Sequence, residues 1–158
     1  MSQPTHTTSH QRPTLTLRAY VHRRNGVPLG HSDSLKNMLT RSLGAGSFAA
    51  FWQYWNPIWG YALGRYIYTP LQQILPKVIA LILTFTISGG IHDLVATVVR
   101  GSGAFLFTPW FTLMGLLVVI GEVFHINYTN QPFYRRVFMN LVYVLGCLFM
   151  TFLAINTI

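Results

Sequence analysis

From Phe48 the apolar residues fall at 48, 51, 52, 55, 58, 59, 62 and 63. That period predicts an amphipathic, aromatic-rich helix. Pro57 interrupts it, because the residue before a proline is pushed away from helical dihedrals. The pattern therefore predicts two helical pieces, with Asn56 capping the second and Pro57 in its first turn. This block covers residues 47–71, and Arg65 with "YTP" at 68–70 leads out to Pro76.

Three continuous apolar runs follow, at 76–99, 103–124 and 137–158. Each reaches the roughly 20 residues needed to cross a hydrocarbon core. The expectation is an all-α integral membrane protein with three transmembrane helices plus the amphipathic block. Residues 1–40 look different. "MSQPTHTTSHQRPT" reads as a disordered polar tail in which His6 and His10 are solvated. Asn25-Gly26 signals a turn, and a short helix is expected from Asp33 with Ser32 or Ser34 as cap. The chain thus divides into a polar, basic segment at 1–40 and a membrane domain at 41–158. It contains no internal repeat.

Composition supports the membrane reading. Hydrophobic residues make up 51% of the chain and charged ones 9%, against about 25% charged in soluble domains. The net charge of +8 would suggest nucleic acid in a soluble protein. Here the positive charge is concentrated from Arg12 to Lys77, which fits a cytoplasmic flank on anionic lipid and points away from nucleic acid. Lys77, Arg135 and Arg136 share that side, and Arg100 alone opposes it. Residues 1–40 carry no secretory signal. "PTLTLRAYVHRR" has too poor an apolar stripe for a transit peptide. The host is the cytoplasmic membrane of a bacterium or the endoplasmic reticulum of a eukaryote. A single cysteine, Cys147, excludes an intramolecular disulfide and reads as a buried thiol.

Polar residues inside an apolar span cost about 2.5–3.5 kcal/mol each when charged, so each needs a reason. The first span holds Ser88, Gly89-Gly90 and His92-Asp93 together. The glycines permit close approach of a backbone or a ligand. His92 is either a structural histidine or, neutral at this depth, a general base. Asp93 points elsewhere on the helix, and an ion pair with Arg100 or Arg65 is expected for it. Glu122 and His125 are spaced to share a helix face. They read as an interfacial polar pair, since no zinc-type spacing occurs and no metal is expected.

"FWQYWNPIWGYALGRYIYTPL" followed by "LTFTISGGIHDL" resembles the membrane-bound O-acyltransferase family, in its wax synthase, sterol acyltransferase and diacylglycerol acyltransferase branch. The matching positions are Phe51, Trp52, Trp55 and Asn56, then Arg65, Tyr68 and Pro70, then Ser88, Gly89 and His92. His92 lies 36 positions after Asn56. The resemblance implies acyl transfer from a thioester, acyl-CoA as co-substrate, to a hydroxyl such as that of a lipid alcohol. It needs no separate cofactor. His92 would then be the base, and Asn56 would position the donor or bind the oxyanion. Trp52, Trp55, Trp59, Arg65, Tyr68, Ser88 and Gly89 would line the substrate. The resemblance covers only the carboxyl-terminal catalytic part of a family with many more spans, which implies assembly with a second copy or a larger membrane partner, or else a fragment or minimal descendant of the family. Two other expectations remain open. One is a non-catalytic subunit that docks through Ser88, Gly89 and Gly90, and the other is a proton relay through His92 and Asp93.

Overall fold

The computed structural model describes residues 15–101, 103 and 105–157. The tail with His6 and His10 lies outside them. Every regular element among the described residues is helical. The order is α1 (Leu17–Asn25), α2 (Ser34–Leu43), α3 (Phe48–Tyr54), α4 (Pro57–Leu63), a π-helix (Gly64–Tyr68), α5 (Thr69–Ile74), α6 (Lys77–Arg100), α7 (Phe107–Val123) and α8 (Phe133–Thr157).

The short helices follow local chemistry. The Ser47 hydroxyl accepts from the Ala50 amide and starts α3. Asn56 takes a left-handed backbone (φ 38°, ψ 73°), and its Oδ1 accepts from the Trp59 amide at 3.2 Å to start α4. The capping expectation for Asn56 and Pro57 therefore holds. Tyr68 to Pro70 lead on towards Pro76 without a break in the helical run. They continue it through the π-turn, in which the Thr69 amide reaches back to Gly64. Pro70 has no amide for an ordinary bond, which lowers the cost of the wider turn just before it.

Near the amino terminus, α1 was not anticipated. Gly26, at φ 79°, ends it by donating to the His22 carbonyl. The Asn25 amide then ties α1 to Ser34 at the start of α2. The cap of α2 is Asp33, without a side-chain cap bond, rather than Ser32 or Ser34. Packing of α1 on α4 includes Tyr20 against Tyr61, their ring centroids 5.5 Å apart.

The two long helices, Lys77–Arg100 and Phe133–Thr157, are apolar and long enough to cross a membrane. The run expected at 103–124 is a shorter helix of 17 residues, about 25 Å by helical rise. Gly101 and Gly103 disfavour an earlier start. The third run begins at Phe133 rather than 137, because Pro132 accepts the amides of Arg135 and Arg136 and opens the helix there.

The most extensive helix–helix contact joins α6 to α7. Ala80, Thr84, Ser88, Gly89 and Asp93 form its buried stripe on α6. Phe48 and Phe51 of α3 pack with Met114, Val118 and Cys147 of α7 and α8 as the main core. Each such large apolar side chain contributes about 1.5–3 kcal/mol when fully buried. At one end of this core, Asn140 donates to the carbonyls of Leu43 (2.8 Å) and Ala45 (3.0 Å) and accepts from the Tyr128 hydroxyl (2.6 Å). That junction pins the start of α3, and with it the aromatic block, to α8.

Candidate active site

The site is built where the Trp59 side chain of α4 reaches α6. The Asn56 cap sets the first turn of α4, which points the Trp59 indole at α6. Its Nε1–H donates to the Ser88 hydroxyl at 2.9 Å. One turn further along α6, His92 Nδ1 lies 2.7 Å from the Ser88 carbonyl oxygen. A carbonyl can only accept, so Nδ1 carries the proton and the lone pair of a neutral imidazole sits on Nε2. Among the described residues Nε2 has no hydrogen-bond partner.

Three aromatic rings surround the imidazole. Trp59 meets it edge-on at 5.8 Å, Phe107 lies at 5.7 Å and Phe111 at 5.0 Å between centroids. Trp52, on α3, extends the wall through Phe111 and Phe85. Its own Nε1–H is buried without a partner. Phe107 and Phe111 belong to α7 and were not singled out in the sequence.

Asp93 is buried, and its partner is neither Arg100 nor Arg65. Oδ1 accepts from the amides of Leu106 (2.9 Å) and Phe107 (2.8 Å). Oδ2 accepts from the Thr108 amide (2.7 Å) and hydroxyl (2.6 Å). A helix end exposes amides that lack partners within the helix and carries partial positive charge, so a carboxylate there removes two costs at once. With both oxygens facing α7, Asp93 is not directed at the imidazole, and a His92–Asp93 relay has no geometric support. Gly89 fits the same junction. A Cβ there would lie 2.5 Å from the Phe107 carbonyl oxygen and 2.7 Å from Thr108 Cα. Ser88 and Gly89 are buried against Trp59 and α7, so they do not form the free docking face that a subunit would need.

The remaining expected residues are more distant. Asn56 is exposed and reaches His92 only through Trp59; its Oδ1 serves the cap, which leaves the Nδ2 donors. Trp55 is 36% exposed and stacks on Phe51. Arg65 reaches the Tyr61 hydroxyl at 3.1 Å, and Tyr68 accepts from Gln72 at 2.8 Å, so both make their polar contacts within their own segment.

Glu122 and His125 do not share a helix face. α7 ends at Val123, and His125 lies beyond it in a left-handed conformation (φ 51°). Both line an open cleft of about 360 Å³ with Phe48, Gln53, Leu117 and Tyr143. Glu122 lies about 16 Å along α7 from Phe111, towards the opposite end of that helix from His92. No group of three or more potential metal ligands occurs among the described residues.

No family model, curated protein or solved structure matches this chain.

Proposed function

We propose that this chain is the catalytic part of a membrane-bound O-acyltransferase, with acyl-CoA as donor and a hydroxyl, such as that of a lipid alcohol, as acceptor. The observation that carries the reading is the His92 tautomer. Nδ1–H is held by the Ser88 carbonyl, and Nε2 is left as an unpartnered acceptor inside an aromatic wall. Such a group takes a proton from a hydroxyl without first breaking another bond.

In this mechanism Nε2 of His92 removes the acceptor's hydroxyl proton as its oxygen attacks the thioester carbonyl. The tetrahedral intermediate collapses, the carbon–sulfur bond breaks, and the imidazolium returns the proton to the leaving thiolate. The products are an ester and free coenzyme A. A positioned base contributes about 10²–10⁴-fold. The Asn56 amide is the candidate donor to the oxyanion, worth about 10²–10³-fold. Trp52, Trp59, Phe107 and Phe111 keep out the water that would hydrolyse the donor.

The chain then acts in a lipid bilayer as a three-helix membrane protein, with α7 as the short third span and the basic amino-terminal segment on the cytoplasmic side. Three helices enclose little volume, so a second copy of the chain completes the chamber. The test is release of coenzyme A thiol by purified protein given acyl-CoAs of several lengths and a pool of hydroxyl acceptors. Wild type releases thiol and His92→Gln, equally folded, does not. Equal release from both, or none from wild type reconstituted in membrane, defeats the proposal.

A further inference from the structure

We infer that Asp93 is a positioning residue for His92, acting from α6 on the first turn of α7. The inference rests on the reading of His92 as the reactive group.

Four hydrogen bonds converge on the Asp93 carboxylate, all from Leu106, Phe107 and Thr108. Two of these residues begin α7, and Phe107 is itself part of the wall beside the imidazole. Phe111 lies one turn on and is the closest ring to His92, at 5.0 Å. The carboxylate on residue 93 therefore sets where the wall stands relative to the imidazole on residue 92. The α7 N-terminus supplies no cap of its own, because Leu106 at the cap position has no side-chain acceptor. Pro109, the third residue of α7, has no amide and leaves one donor fewer for the carboxylate to satisfy. Gly89 lets the two backbones meet closely enough for the reach of an aspartate.

An alternative role for Asp93, as a proton carrier to His92, would require a carboxylate oxygen directed at the imidazole. Both oxygens are directed at α7. The role is one of geometry: an anion fixes a helix end, the helix end fixes two rings, and the rings fix the imidazole.

The experiment uses the full chain in detergent or nanodiscs and compares wild type, Asp93→Asn and Thr108→Val. Asparagine keeps one oxygen for Leu106 and Phe107 but turns an NH₂ donor toward the Thr108 donors. Two readouts require no turnover. One is amide hydrogen exchange at residues 106–108. The other is the rate at which diethyl pyrocarbonate modifies His92, measured at one pH by mass spectrometry relative to the exposed His125.

In folded Asp93→Asn, exchange at these amides rises about tenfold or more, the loss of a charge-assisted bond. The His92-to-His125 modification ratio rises by roughly the same factor, as the wall opens. Where thiol release is measurable, kcat falls about tenfold or more while the acyl-CoA KM changes by less than about twofold, as misplacement of a reacting group demands. Faster exchange with an unchanged modification ratio overturns the inference, since Asp93 would then be a cap and nothing else. Unchanged exchange overturns it too. If Asp93→Asn does not fold, Thr108→Val, which removes one bond of the four, decides by the same ratio with a shift of about threefold. Absence of thiol release from wild type removes the acyltransferase proposal and leaves both other readouts able to judge Asp93.

Discussion

The Trp59 indole donates to the Ser88 hydroxyl at 2.9 Å, joining α4 to α6 across 29 residues of chain. The carbonyl of the same serine holds Nδ1 of His92. One residue thus orients both the wall and the imidazole, the first with its side chain and the second with its backbone. Ser88→Ala separates the two. The carbonyl and the His92 tautomer remain, but a buried indole N–H loses its acceptor, which costs about 1–3 kcal/mol. Thermal unfolding in detergent should show that loss, with activity reduced far less than in His92→Gln.

Gly89→Ala should be more damaging. The new Cβ meets the Phe107 carbonyl and Thr108 Cα, backbone atoms that cannot rotate away. Overpacking of this kind costs about 1–3 kcal/mol, and here the displacement opens the Asp93 contacts as well. A lowered melting temperature together with faster exchange at residues 106–108 checks it. Gly90→Ala is the control, since the nearest atom there is the Thr108 hydroxyl at 3.7 Å.

Asn56 supports two roles that one substitution can separate. Its left-handed backbone (φ 38°) suits glycine as well as asparagine. Asn56→Gly therefore keeps the turn and loses only a few tenths of a kcal/mol of capping. If the amide serves the oxyanion, the same variant loses about 10²–10³-fold in kcat. The expected result is a near-native melting temperature with that loss, read by the thiol assay.

Tyr128 and Asn140 make a pH-sensitive junction. Burial, reinforced by Tyr143, holds the Tyr128 phenol above its ordinary value of 10.0. Its proton is what donates to Asn140. Below about pH 10 folded and unfolded chains both keep that proton, and the stabilisation is whole. Above it the unfolded chain ionises first and binds fewer protons, so stability falls as pH rises towards the folded value. Tyr128→Phe should flatten that alkaline decline relative to wild type in unfolding measured from pH 8 to 11. Asn140→Ala, which strands the Tyr128 hydroxyl and two carbonyls, should be the least stable of the variants, by about 1–3 kcal/mol for each group left unpaired.

The sequence made some of this legible and concealed the rest for identifiable reasons. The apolar period through residues 48–63 and the Asn-Pro pair locate α3, α4 and the break between them, since caps and prolines act over three or four residues. His92 stands out because a titratable group in an apolar run is costly. Asp93 misled for the same reason. The cost was correctly noted, but the donors that offset it are backbone amides 13 to 15 residues away, and amides leave no trace in residue identity. Phe107 and Phe111 look like any other apolar residues until α7 lies against α6. Helix α1 was missed because "LRAYVHRRN" has almost no apolar stripe; it is held by its Thr16 cap and by Asn25. The π-turn before Pro70 has no periodic signature.

The length of α7 has a consequence for the surrounding lipid. Its 17 residues reach about 25 Å, and α6 and α8 reach about 36–38 Å, on either side of a hydrocarbon thickness of about 30 Å. In the bilayer proposed for this chain, that hydrophobic mismatch pinches the membrane locally where α7 begins. Phe107 opens α7, so a pinch at that end would leave a headgroup-bound or water-borne substrate of the proposed enzyme less hydrocarbon to cross before it reached His92. Host lipids with shorter chains would suit that deformation. Longer ones would tilt or stretch the bundle at the helix end that Asp93 holds, and turnover would track bilayer thickness.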